Sequence, residues 1–375
     1  MNTSKQSLLV SFSPHIDNIK EILKAHTSRA YITGGALRDV ILQRDICDID
    51  IEVYDIAPKK FDALMQSIGA KGVGKSFFVY KYGNIDLSLP RLERKVSLGH
   101  SGFEIDWCND EKEASKRRDF SMNAMMLNIF DGMLLDFWGG MDALHSKSIS
   151  LIDKERFKED SLRVLRGVRF SACFGFKIEP KTLSVMQSID MSDLSKTRIF
   201  WEFEKLFRAD FLHYGLFYMY KLNLFKKLLH VKAQNRLFLP LALAIQRYLK
   251  NVDSSLRDYY FLYILSHYLH CLPESLLQRL EAPRRYFRAL EHVPFETLHV
   301  SDFELAVIAI DIPLKDWVGV CVGDIKKRAQ AMGVYSKKFG SDITSDEVIK
   351  DGFVANDIAQ EIRRRKIEKA KKLFG

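Results

Sequence analysis

The chain has 375 residues, 47% of them apolar, enough for two or more packed units and too many for wholesale disorder. Its 57 Lys and Arg outnumber 48 Asp and Glu, a net charge of +9 that favours an anionic partner, nucleic acid first, over a basic protein with none. The five cysteines are scattered without a C-x-x-C pair, which argues against a disulfide framework or cysteine zinc site and fits a reduced, cytoplasmic home; no apolar run reaches the roughly 18 residues of a membrane span or marks a signal peptide.

Residues 14–25 carry Ile16, Ile19, Ile22 and Leu23 at helical spacing. Residues 30–33 form a short apolar run that stops at Gly34 and Gly35, as a strand would. The following G-G-A-L-R-D, ending in Arg38 and Asp39, opens a helix. Paired glycines let a phosphate approach backbone N–H groups, and a helix start favours negative charge. Arg38 would add a fork donor for phosphate oxygens.

Residues 48–54 read D-I-D-I-E-V-Y, a strict strand alternation that puts Asp48 and Asp50 on one face and Ile49 and Ile51 on the other. Two carboxylates so placed repel unless a cation joins them, and hard oxygen ligands suit Mg²⁺ together with substrate phosphates. The alternative is a surface strand with an acidic outer face, which Glu52 would extend. Residues 58–68 look helical, with Pro58 at the start.

Residues 69–76, G-A-K-G-V-G-K-S, match the phosphate-loop pattern G-x-x-x-x-G-K-[ST] at every fixed position. That loop needs a strand before it and a helix after it. Here a helical segment precedes and the strand-like run 77–82 follows, so a Gly-rich turn into a strand is expected, with a phosphate-loop ATPase as the rival enzyme. Residues 84–89 form another strand candidate, and Asp86 within it offers a third carboxylate. Arg117, Arg118, Asp119 and Asn123 stand in R-R-D-F-S-M-N-A. Residues 127–129 and 133–137 flank Asp131-Gly132, a hairpin signal.

Beyond residue 150, Leu- and Phe-rich helical patterns dominate: 159–174, 198–207, 212–229, 237–249 and the tail from 355, where basic residues cluster. In the first, Asp160 and Arg163 lie three apart and neighbour one another; they make either a helix salt bridge or an acceptor and a fork donor for a base edge. The simplest partition is an α+β head followed by an all-α remainder.

Together these blocks resemble the class II tRNA nucleotidyltransferases and bacterial poly(A) polymerases of the polymerase-β superfamily. The likeness covers roughly residues 30–205. It includes D-F-W-G-G-M-D-A-L at 136–144, similar to a D-x-x-G-G-x-x-D-L turn, and S-K-T-R-I-F-W-E at 195–202, similar to an S-x-x-R-I-x-x-E neck helix. A V-G-K-S-F turn before a strand also occurs at this place in many relatives.

The resemblance implies a polymerase-β-type head over residues 1–150, a helical neck that recognises the base over 151–215, and a helical, tRNA-binding body and tail over 216–375. Gly34, Gly35 and Arg38 would hold the incoming triphosphate, Asp48 and Asp50 would ligate two Mg²⁺, and Asp86 would join the catalytic carboxylates. Arg118, Asp119 and Asn123 would contact the nucleotide, and Asp160, Arg163, Arg166 and Arg169 would line its pocket. Residues 90–108 would be a flexible loop that helps to switch from C to A addition. The implied reaction adds C, C and A from CTP and ATP to the tRNA 3′ end; CC-only, A-only and poly(A) addition share the same head blocks. No protein partner is expected, and without a His-Asp dipeptide no appended phosphohydrolase activity is expected.

Base choice then needs no nucleic-acid template. A carboxylate at Asp160 accepts only, which favours the exocyclic amine of C or A, while Arg163 donates to the acceptors beside it. U and G would face Asp160 with a carbonyl. A good bidentate contact is worth about 1–3 kcal/mol of discrimination, and unpaired buried groups add to the penalty.

Overall fold

The computed structural model describes residues 5–74, 79–95, 103–232, 252, 254–291, 300–321, 323–354 and 356–375. The expected helix at 237–249, residues 75–78 of the phosphate-loop lookalike and its following strand, and residues 96–102 lie outside them. The chain divides into two compact units, Met1–Leu194 and Ser195–Gly375.

In the first unit, helix α1 (Lys5–Lys24) starts well before Pro14 and runs through it. Leu8, Phe12, Ile16, Ile19 and Leu23, spaced by three or four, are all buried, and this continuous stripe carries the helix past a residue that normally breaks one. β1 (Ala30–Thr33) is buried along its whole length. It sits inside a seven-stranded mixed sheet of order β3-β4-β5-β2-β1-β8-β9. The flanking strands are β2 (Ile49–Val53), β3 (Lys71–Gly74), β4 (Val79–Tyr82), β5 (Ile85–Ser88), β8 (Met126–Asn128) and β9 (Leu134–Leu135). Helix α2 (Gly35–Ile41) follows β1 directly and α3 (Pro58–Ser67) precedes β3. β6 (Arg91–Lys95) and β7 (Phe103–Trp107) pair as a separate antiparallel ribbon.

Two registers place the chemistry. β1 pairs antiparallel with β2, setting Thr33 opposite Asp50. β2 pairs parallel with β5, setting Asp50 opposite Asp86. In the same unit, helix α7 (Leu162–Phe174) ends at Gly175, which adopts the left-handed conformation at φ 69°, a common helix stop.

The phosphate-loop lookalike is resolved by the same sheet. Its residues Lys71–Gly74 form β3 and pair antiparallel with β4. A strand occupies the place where a phosphate loop would need to curl.

The second unit is helical throughout its described residues. Lys196–Phe207, Leu212–Lys221, Leu224–Leu229 and Arg257–Tyr268 build one core, where the Phe207 ring stacks obliquely on Phe261 at 5.2 Å. The expected helix 212–229 is two helices, because Asn223 takes the left-handed conformation at φ 57°, which Asn tolerates better than most residues. Asp302–Asp311 packs with the last helix, Asn356–Phe374, around Trp317, Leu305 and Ala370. No described helix is long and apolar enough to cross a membrane.

Candidate active site

β2 delivers its carboxylates unequally. The strand begins at Ile49, so Asp48 stands just ahead of it with its side chain 72% exposed. Asp50 is half-buried and turns toward Gly34: a Cβ at Gly34 would lie 3.3 Å from Asp50 Oδ2 and 3.3 Å from Arg118 Nη1. Gly34 also holds φ +70°, so both space and backbone require glycine there. Lys81 on β4 reaches Asp86 Oδ1 at 3.6 Å and Asp48 Oδ1 at 3.9 Å.

This corner is short of positive charge. Burial pushes the Asp50 carboxyl up, and Asp86 and Glu52 push the same way against Arg118. Asp86 Oδ1 is buried without a hydrogen-bond donor. An orphaned oxygen beside a carboxyl crowded by its own kind suits a hard divalent cation. Among the described residues no three His, Cys, Asp or Glu side chains converge as a ready-made cage.

Glu52 departs from the acidic outer face anticipated for β2. It is only 2% exposed and its Oε1 accepts from both Arg117 Nη2 and Arg118 Nη2, the latter at 2.6 Å. Burial raises its pKa, but the two guanidinium groups overcome that and hold it at about 2. Arg118 Nη2 also donates to Thr33 Oγ1 at 2.8 Å. Strand alternation foretold which face Glu52 occupies; nothing local foretold that two arginines from a distant segment would cover it.

A second network joins α2 to α7. Arg38 is buried, donates from Nε and Nη2 to Asp39 and from Nη1 to Asn123 Oδ1 at 2.7 Å. Asn123 in turn donates to Asp119 Oδ1 at 2.8 Å, and Arg166 Nε donates to Asp119 Oδ2 at 2.6 Å. Burial pushes Asp119 up, yet Arg166 and the Asn123 amide hold it down at about 2. Arg38, Arg166 and Arg169 all lie over the Phe170 ring, at 5.1, 5.3 and 4.1 Å. Arg38 and Arg44 lie over Phe174, which stacks on Phe170 at 5.8 Å. The two phenylalanines thus space several like charges that would otherwise repel. Their i, i+4 spacing behind Arg166 was a readable signal; Lys81 had none before the β4–β5 pairing was known.

The structure therefore gathers Gly34, Asp50 and Arg118 at one point, with Asp86 across the strand pair, and Gly35, Arg38, Asp119, Asn123, Arg166 and Arg169 in the adjoining network. Gly35 touches the Arg38 guanidinium, 3.4 Å from where its Cβ would be. Arg163 is held differently: its Nη1 and Nη2 donate to the main-chain carbonyls of Arg156 and Arg117, both at 2.6 Å. Asp160 is half-buried and its Oδ1 accepts from Leu162 N at 3.2 Å.

Residues 30–150 match the family model described as the poly A polymerase head domain, and residues 175–234 match that of a probable RNA- and SrmB-binding site of polymerase A. A CCA-adding enzyme of Lactococcus lactis subsp. cremoris is 34% identical over 210 residues, covering 52% of this chain and 50% of the relative. The chain spans about half the length of the curated relatives it matches first. The crystal structure of the Bacillus stearothermophilus CCA-adding enzyme in complex with CTP superposes at TM-score 0.67 and 19% identity, covering 96% of this chain and 93% of that one. A tRNA nucleotidyltransferase complexed with a primer tRNA and an incoming ATP analog superposes at TM-score 0.61 and 20% identity, over 84% and 97%. These likenesses fix the fold, an α+β head followed by helices, and residues 30–150 carry the poly A polymerase head domain.

Proposed function

We propose that this chain adds C, C and A to the 3′ end of tRNA from CTP and ATP, releasing pyrophosphate. The observation that carries the reading is the juxtaposition of Asp50, Gly34 and Arg118, with Asp86 in register opposite Asp50. A carboxylate, a glycine that admits a phosphate and a guanidinium meet there. Relatives that match the chain are CCA-adding enzymes, and similar folds bind CTP, or a primer tRNA with an ATP analog.

Members of this family generally use divalent metal ions. Two Mg²⁺ held by Asp48 and Asp50 would activate the RNA 3′-hydroxyl and neutralise charge on the leaving pyrophosphate. The chain's own residues do the rest by positioning and electrostatics. Gly34 and Gly35 leave room for the phosphates. Arg118 Nη1 points at that room, while its Nη2 is anchored by Glu52 and Thr33. Arg38 is fully engaged with Asp39 and Asn123, so its contribution to the triphosphate is a fixed positive charge beside Arg169 and Arg166. Asp160 and Arg163 select C and A over U and G, the arginine being fixed by two main-chain carbonyls. No side-chain nucleophile is needed.

The three regions proposed are a catalytic head over 1–150, a base-recognising neck over 151–215 and a tRNA-binding body and tail over 216–375, in a cytoplasmic protein. CC-only, A-only and poly(A) addition use the same head and are separated by product. A phosphate-loop ATPase is disfavoured because residues 71–74 are a sheet strand. An idle RNA-binding protein is the remaining rival. Mg²⁺-dependent transfer of labelled CMP and AMP to trimmed tRNA tests the reading. Asp48→Ala and Asp50→Ala should each reduce the rate at least about 100-fold with tRNA binding retained; wild-type rates in both variants would remove it.

A further inference from the structure

Asp50 and Arg118 face each other across Gly34, each within 3.3 Å of the same point. Opposite charges so close would pair unless one is engaged elsewhere. Arg118 is engaged: Glu52 and Thr33 take its Nη2, at 2.6 and 2.8 Å. Glu52 shares the face of Asp50, two residues further along β2. It is buried and held from three directions, by Arg117, by Arg118 and by the Tyr54 hydroxyl, which donates to Oε2 at 3.2 Å. Thr33, the other anchor, pairs in register with Asp50 itself. The arginine is thus tethered through Nη2 to acceptors other than the carboxylate it would otherwise neutralise.

We propose that Glu52 is a positioning residue that holds Arg118 off Asp50, keeping the Asp50 carboxylate open to a divalent cation and Arg118 Nη1 open to a phosphate oxygen. Glu52 reaches neither cation nor substrate; it acts through Arg118. Burying a third carboxylate beside an acidic corner is costly unless it is paired. Here the pairing itself is the task, because a guanidinium released from Glu52 could turn to Asp50, which shares the Gly34 corner with it. The inference rests on the nucleotidyltransferase reading only in taking Asp50 as a cation ligand.

The test is MnCl₂ binding to the purified full chain without RNA or nucleotide, read from the electron paramagnetic resonance signal of free Mn²⁺, with thermal melting to confirm folding. Glu52→Gln is expected to weaken Mn²⁺ binding about tenfold, the low end of the usual cost of disturbing groups behind a metal ligand. The double variant Glu52→Gln with Arg118→Met should recover wild-type affinity, since no guanidinium remains to occupy Asp50. Simple structural damage would not be repaired by a second substitution. Should Glu52→Gln fail to fold, Glu52→Asp, which keeps the charge on a shorter stem, takes its place, and the same recovery with Arg118→Met is expected. Unchanged affinity in the folded single variant, or no recovery in the double variant, would overturn the inference. Wild-type protein that binds no Mn²⁺, or binds it equally after Asp50→Ala, would overturn the assignment of Asp50 as a ligand and this inference with it; active wild type with an insensitive Glu52 variant would overturn this inference alone.

Discussion

Asp119 ties its own segment to the helix Leu162–Phe174 with one side chain. It accepts from its own neighbour Phe120 N, from Asn123 and from Arg166. Replacing it with Ala strands a buried amide and an arginine, and should cost about 1–3 kcal/mol in urea unfolding while releasing Arg166 from its anchor. Glu52 and Asp119 both titrate at about 2 in the folded chain, below their ordinary 4.5 and 3.8. The unfolded chain therefore takes up protons first as the pH falls. The stability these two groups supply is complete above about pH 4.5 and drains away as pH drops toward 2. Urea midpoints at pH 6, 4 and 3 should decline, and the decline should flatten in a Glu52→Gln, Asp119→Asn variant; an equal decline in that variant would contradict the assignment. At Asp160 the effect is on choice rather than stability. Asp160→Ala should relax discrimination against UTP and GTP while tRNA binding persists, as read from competing nucleotide incorporation. Equal use of all four nucleotides by wild type would remove that role.

At the scale of elements, close approach depends on a few glycines. A Cβ at Gly140, which opens the helix Gly140–His145, would come within 2.7 Å of the Ser121 carbonyl oxygen and 2.5 Å of Met125 Cγ. A backbone oxygen cannot swing aside, so Gly140→Ala should destabilise by about 1–3 kcal/mol despite alanine's better helix propensity. At Gly167 the same change meets Met186 Cε and Phe120 Cζ at 2.9 Å. The methionine end can move, so the loss there should be smaller, and thermal melts of both variants compare them. The sequence disclosed β1, β2 and β5 because alternation and bounding glycines act locally. It suggested a Gly-rich turn over the phosphate-loop lookalike with the strand only after it, whereas residues 71–74 are themselves strand β3, paired with β4, a pairing no local signal announced. It did not disclose that α1 begins at Lys5 or that Asn223 breaks a helix, since a buried stripe and a left-handed residue override local propensity. Nor did it disclose the burial of Glu52, which is decided by Arg117 and Arg118 arriving from far along the chain.

For the whole molecule, net charge alone does not locate a binding surface. The basic last helix spends most of its excess within its own unit: Arg363 pairs with Asp311, Arg364 with Glu361 and Glu368, Arg365 with Glu361 and Asp351, and Lys369 with Asp342. Such exposed pairs contribute little stability each, but they mask the charge that composition counts. Four further arginines, Arg38, Arg44, Arg166 and Arg169, gather around Phe170 and Phe174 in the first unit. The most direct measurement supplies purified protein with tRNA lacking its last three nucleotides, adds CTP alone, ATP alone and then both with Mg²⁺, and sequences the 3′ ends. Two Cs with CTP alone, completed by a single A when ATP is present, is the expected result; no extension under any condition, or extension that survives Asp50→Ala, would contradict it.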